Sequence, residues 1–346
     1  KKETEVLLQR IEKWYGQLPN LFITDKQKFS AEFGWSKAPT PFSDRLGLEY
    51  KKIKEGEEWG KKWESAWFHL KGECPENWVD EIIVSELDFS GEGLVFDTNG
   101  TALQGITNAS IWDSNFARTR VEILKSCKKG EKIELWVEAA ANSLFGVFTD
   151  PDPEEESPKR HGWFDAKVES LKFGKFDKEL WHLYLDVRIL RGMIKHLDEK
   201  SIQRARAIRA LNDCINAFSD DQKNVEKARA CLQKELEKKS SASDLSVSAI
   251  GHAHIDTGWL WPVRETVRKC ARTFATQLNI IDSYSNYIFG ASQPQHYQFM
   301  KDHYPEIYDR IKTAVKNGNW ECQGGMWVEA DCNLISGESM VRQFIH

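Results

Sequence analysis

The stretch Ala249–Pro262, AIGHAHIDTGWLWP, sets His252, His254 and Asp256 at every second position and follows them with Trp259 and Trp261. Side chains alternate along an extended segment, so the two imidazoles and the carboxylate are expected on one side. Imidazole nitrogen plus carboxylate oxygen is a donor set for zinc or a related divalent ion. Structural histidines and turn caps also produce an H-x-D pair, so the pair alone does not decide. Catalytic zinc usually takes three protein ligands and keeps an open position. GGMWVEADCN offers a further candidate, with Glu329 and Asp331 two residues apart and so on one face of a strand. A carboxylate there can ligate metal, act as nucleophile, serve as general acid or base, or cap the next helix. Gly324 and Gly325, just before it, allow close backbone approach.

Each cluster follows a run that reads as a strand: LSVSAI (Leu245–Ile250), YIFGAS (Tyr287–Ser292) and WECQGGMWV (320–328). The intervening segments have helical spacing, and Pro305 breaks or restarts the second helix. Strand–helix–strand–helix–strand means a parallel sheet, doubly wound or the beginning of a barrel. Ligands bind beyond the carboxyl ends of such strands. The clusters GHAHIDTGWLWP, SQPQHY and EADCN are therefore expected to converge.

Upstream, residues 1–16 read as a helix, and an irregular arm runs on to residue 47. Residues 48–150 read as a β-sandwich, because SAWFHL, EIIVSEL, GLVFDT, RTRVEIL and KIELWVEA are short β-prone runs separated by turn signals. DPDPEEESPKR (150–160) has a linker's composition. It opens a segment, 151–240, whose remainder is a helical spacer docking on both neighbours. There Leu180, Leu183, Tyr184, Val187, Leu190, Ile194 and Leu197 form one stripe. His182 and His196 read as packing or surface residues. Residues 241–346 start the catalytic unit. The fold class is thus multidomain α+β: sandwich, helical spacer, then the first β/α units of an incomplete barrel.

Composition narrows the function classes. The chain has 346 residues, a net charge of −5, 40% hydrophobic and 29% charged residues. The acidic balance argues against a nucleic-acid partner. No apolar run reaches the roughly 18 residues of a membrane span, and the charged N-terminus is not a signal peptide. Seven cysteines without a C-x-x-C pair point to a thiol-reducing, cytoplasmic setting. The 14 tryptophans and 18 phenylalanines suit cores, and equally suit stacking on sugars. Self-association is left open.

GHAHIDTGWLWP, the following RETVRKCARTF, SQPQHYQFMK and GGMWVEADCNLISGESMVRQF together resemble the start of the catalytic domain of glycoside hydrolase family 38, the class II α-mannosidases. The likeness is strongest to the cytosolic and bacterial branch, and it extends upstream through GEGLVFDTNGTALQGIT and WVEAAANSLFG. The resemblance implies a (β/α)7 barrel and a retaining, metal-assisted hydrolysis of terminal α-linked mannose from oligosaccharides through a covalent glycosyl-enzyme. It implies Zn2+, with Co2+ a possible substitute, held by His254, Asp256 and Asp331. It further implies Asp331 as nucleophile and Trp259 as a sugar-binding residue. The family's acid/base carboxylate and second zinc histidine lie well downstream of the nucleophile, so both are expected beyond residue 346, with this chain an inactive or incomplete fragment. Glu329 is read as a hydroxyl-binding group or a support to the metal ligands. Two alternatives compete: a non-catalytic carbohydrate-binding or scaffold module carried by the sandwich, and another metal hydrolase such as a sugar deacetylase.

Overall fold

The computed structural model describes residues 2–107, 117–142, 166–239 and 245–345. Helix α1 (Lys2–Gln17) leads into strands β1 (Ile23–Lys28), β2 (Ser30–Ser36), β3 (Tyr50–Ile53), β4 (Glu58–Gly60), β5 (Ser65–Glu73), β6 (Ile83–Asp88), β7 (Glu92–Phe96), β8 (Ala102–Thr107), β9 (Arg120–Leu124), β10 (Lys132–Ala140), β11 (Ala166–Lys167) and β12 (Ser170–Phe176). Two antiparallel sheets form the sandwich, in the orders β1-β12-β6-β9 and β3-β2-β5-β10-β7-β8. The sheets recruit strands from both sides of the 48–150 segment. Phe29, Ala31 and Phe173 sit in the same core as Phe68, Leu70, Leu87 and Val137, and that shared core is why the arm before residue 48, expected to be irregular, contributes one strand to each sheet. The expected linker 150–160 lies outside the described residues.

Strict alternation in β5 and β10 decides what the six-stranded sheet carries. Phe68, Leu70, Leu135 and Val137 face the sandwich core, whereas Trp67 and Trp136 face a second core on the opposite side. At Trp67 and Trp136 the sheet is therefore buried on both faces, while Lys71, Lys132 and Glu134 towards the other end of the strands stay exposed.

Helices α2 (Lys178–His196), α3 (Ile202–Phe218) and α4 (Val225–Leu236) share a core with α1. On the expected stripe Leu180, Leu183, Val187, Leu190 and Ile194 are buried. Phe22, Ile23 and Val84, from the outer face of the four-stranded sheet, join that core. The helices thus cap the far side of the sandwich instead of separating it from the last unit. That unit docks directly on the six-stranded sheet.

The last unit comprises β13 (Gly251–His252), α5 (Val263–Ser283), β14 (Phe289–Ala291), α6 (Pro294–His303), α7 (Pro305–Lys316), β15 (Trp320–Cys322) and α8 (Gly337–Arg342). Its three strands pair in parallel, in sequence order. The strands are shorter than the sequence runs. Residues 245–250 are extended chain without pairing, Leu245 is 94% exposed and Val247 88%, because no layer covers them. The third strand stops at Cys322, since Gly324 adopts a φ of 82° and a Cβ there would lie 2.6 Å from the Ser292 carbonyl oxygen.

The seam with the sandwich is apolar at its centre, where Trp67, Phe96 and Trp136 meet Phe274, Leu278 and Met300. Beside it lies an array of buried charges. Glu92 on β7 accepts from Lys269 Nζ (2.6 Å) and Arg272 Nη2 (3.0 Å) on α5. Arg268 is clasped by Glu265 and donates to Ser65 Oγ at 2.8 Å, while Glu138 on β10 accepts from the Tyr304 hydroxyl at 2.9 Å. Burial raises the Glu138 carboxyl above its usual pKa. Burial pushes Glu92 the same way, but Arg272 and Lys269 outweigh it and leave its pKa lowered.

Candidate functional site

The loops after β13, β14 and β15 converge at the carboxyl edge of the parallel sheet, as the three clusters require. His254 Nε2 lies 2.9 Å from Asp256 Oδ1, and His254 Nδ1 lies 2.8 Å from Glu329 Oε2. Glu329 also accepts from the Ser292 hydroxyl, so it touches both other loops. The hydrogen bond with Asp256 leads the effects that hold the His254 imidazole above its ordinary pKa, against partial burial. Burial pushes the Glu329 carboxyl up, but hydrogen bonds from Ser292 and His254 bring it below its usual value.

His252, first of the alternating trio, turns elsewhere. Its Nδ1 donates to the Gly290 carbonyl oxygen at 2.9 Å. Strand pairing covers only Gly251 and His252, so the simple alternation does not extend to Asp256. A turn positions that carboxylate, with Gly258 at a φ of 81°.

Gln293 is 2% exposed and ties the loops together. Its Nε2 donates to the Ile255 carbonyl (2.8 Å), and its Oε1 accepts from the Glu329 amide (3.1 Å). The Thr257 hydroxyl sits between Gln293 Oε1 (3.1 Å) and His296 Nε2 (3.0 Å). Burial lowers the His296 pKa to about 4, keeping the ring neutral. Both residues lie in the SQPQHY cluster expected at the site, but neither is singled out by the sequence alone. Their available signal was position, directly after a strand that feeds the site.

Trp259 is 52% exposed at the rim and meets Trp261 edge to face, with centroids 5.2 Å apart. Asp331 is exposed, and its Oδ1 accepts from the Asn333 amide at 2.9 Å, while its carbonyl accepts from Leu334. It makes no ion pair with His254 among the described residues; Glu329 does. Because β15 ends at Cys322, Glu329 and Asp331 lie on a loop and share no strand face. Ser336, not Asp331, caps α8. Among the described residues no group of three or more His, Cys, Asp or Glu side chains is arranged to hold a metal ion.

The arrangement defines a parallel β/α unit with a histidine–carboxylate cluster and exposed indoles at its strand tips, docked on a jelly-roll sandwich. Residues 244–346 match the Glycosyl hydrolases family 38 N-terminal domain, and residues 28–169 match the alpha-mannosidase jelly roll domain. Over its whole length the chain is 34% identical to Alpha-mannosidase G of Dictyostelium discoideum, covering 32% of that protein. It is 29% identical to Alpha-mannosidase 2C1 of Mus musculus over 99% of the chain and 33% of the relative. It is 30% identical to an alpha-mannosidase of Saccharomyces cerevisiae over 87% of the chain and 28% of the relative. The chain therefore spans about a third of the length of these curated relatives.

Proposed function

We propose that the chain contributes to a metal-assisted, retaining α-mannosidase that removes terminal α-linked mannose from oligosaccharides. The observation that carries this reading is the meeting of His254, Asp256 and Glu329 at the strand tips, beside Trp259 and Trp261. Two ligands bound about 2.1 Å from one divalent cation stand about 3.0–3.4 Å apart, and the 2.9 Å between His254 Nε2 and Asp256 Oδ1 is close to that edge. Glu329 on the other ring nitrogen is the outer carboxylate that orients metal-binding histidines. His254 and Asp256 are therefore two donors of the kind Zn2+ takes, with Co2+ as a possible substitute.

When bound, the cation supplies charge and coordination for sugar hydroxyls. Trp259 offers its exposed indole to a pyranose face. Asp331, two residues past Glu329, serves as third ligand and nucleophile. Its carboxylate forms an ester bond to the anomeric carbon as the glycosidic C–O bond breaks, and water later cleaves that ester. The leaving oxygen takes a proton from an acid not assigned to any described residue. The helices and the docked unit cover part of the outer face of each sheet, which leaves less of the sandwich for a sugar-binding role. The seven cysteines are free thiols, which supports a cytoplasmic setting. No helix among the described residues is long and apolar enough to cross a membrane.

Aryl α-mannoside hydrolysis with and without chelator tests the reading. In a protein extended at its C-terminus to the length of the relatives, chelator-sensitive hydrolysis that vanishes in Asp331→Asn is expected, and full activity in the presence of chelator or in Asp331→Asn overturns the reading.

A further inference from the structure

We propose that Thr266 is the positioning residue of the sugar-facing loop, and that the jelly roll holds it in place through helix α5. This rests on the reading of that loop as a cation and sugar site, and identifies what sets its shape. Thr266 is fully buried near the start of α5. Its hydroxyl accepts from the Gly258 amide (2.9 Å) and from the Trp261 indole N–H (3.0 Å), and donates to the Asp256 carbonyl (3.0 Å). A hydroxyl has one donor and two acceptor sites, so all its capacity is spent on residues 256–261. One oxygen thereby fixes the backbone of a proposed cation ligand, the turn glycine and an indole.

A second contact fixes the same indole. Lys269 Nζ lies 4.5 Å from the Trp261 ring centroid, and its counter-charge is Glu92 of β7 at 2.6 Å. Trp261 is therefore held at its N–H by α5 and over its face by an ammonium paired with the sandwich. Trp259 leans on Trp261. Arg264 Nη2 donates to the Trp63 carbonyl at 3.1 Å, tying the first turn of α5 to the sandwich as well. The orientation of the exposed Trp259 is thus referred back, through one hydroxyl and one ion pair, to the six-stranded sheet. Thr266 touches neither sugar nor cation, so its role is positioning.

The test uses this chain labelled with 5-fluorotryptophan, with the Trp259 and Trp261 fluorine lines assigned by Trp→Phe variants. Thr266→Val keeps the shape and removes the hydroxyl; Thr266→Ser keeps the hydroxyl. Val is expected to shift or broaden both lines and to weaken calorimetric Zn2+ binding about tenfold or more, and Ser to restore both. Lys269→Met is expected to move the Trp261 line. A merely structural threonine would lower the melting temperature in Val and Ser alike, with both lines and the Zn2+ affinity of the folded protein unchanged, and that result overturns the proposal. The fluorine lines decide the positioning role whether or not this chain binds Zn2+ by itself, and the functional reading fails separately, if a protein extended to the length of the relatives binds no Zn2+.

Discussion

His254 and Glu329 stand 75 positions apart in the sequence and meet side chain to side chain, Nδ1 to Oε2, at 2.8 Å. The contact leaves Nε2 turned toward Asp256. A carboxylate on Nδ1 fixes the tautomer and raises the basicity of the other nitrogen. Glu329→Ala is therefore expected to weaken Zn2+ or Co2+ binding about 10–100-fold, read by calorimetry. Glu329→Gln, which still offers an oxygen to Nδ1–H, is expected to fall between. Equal affinity in all three proteins would remove Glu329 from the site.

Asp331 allows its chemical and structural roles to be separated. In the structure its Oδ1 accepts one backbone N–H. Asn retains that oxygen, so Asp331→Asn is expected to alter stability by no more than about 0.5 kcal/mol. In the proposed role of nucleophile an amide cannot replace it, and in a protein extended to the length of the relatives mannoside hydrolysis is expected to fall on the order of 10³-fold or more in Asp331→Asn. A large loss of stability with little loss of rate would assign Asp331 to the turn alone.

The sequence made the site's neighbourhood legible and its contacts less so. The three clusters were expected to converge because each follows a strand, and strand order in a parallel sheet is a topological consequence. The partner of His254 was harder to name. Glu329 and Asp331 are interchangeable in spacing, and the choice is made by a loop whose shape depends on Gly324 and on the Gln293 bridge. LSVSAI has the composition of a strand, yet stays unpaired because a β-prone run needs a covered face. Phe29 and Ala31 joined the sandwich for the converse reason, since long-range packing overrode weak local signals. The buried array escaped notice because Glu265, Arg268, Lys269 and Arg272 have the spacing of a solvated helix face. The docking of α5 on β7 and β8 buries them.

That array sets an expectation for stability. Glu92 neutralises two cations that are themselves almost fully buried. Removing the shared anion leaves both without their partner, and breaking a buried pair from one side typically costs about 3–5 kcal/mol. Glu92→Leu is expected to lower the unfolding free energy by that order in urea titrations. Replacing Glu92, Lys269 and Arg272 together with apolar residues is expected to recover part of the loss, because the two cations that Glu92 neutralises leave with it. If Glu92→Leu costs under about 1 kcal/mol, the array does not hold the seam.

The two site histidines give opposite pH dependences. Burial lowers the His296 pKa to about 4, against about 6.5 in an unfolded chain. The unfolded state takes up the proton first as pH falls. His296 therefore contributes stability that is fully present above about pH 6.5 and is lost progressively as pH approaches 4. The shift corresponds to about 3 kcal/mol at most. His254 has the reverse sign: its raised pKa gives stability present below its unfolded value and lost as pH rises through the folded one. Its side chain is about half exposed, so solvent screens that contribution and His296 dominates the acid limb. Urea unfolding of the metal-free chain between pH 7 and 4.5 is expected to show stability falling with pH, and His296→Gln is expected to flatten that slope. A variant with the same slope as the unaltered chain would mean that the imidazole is not held neutral by its burial.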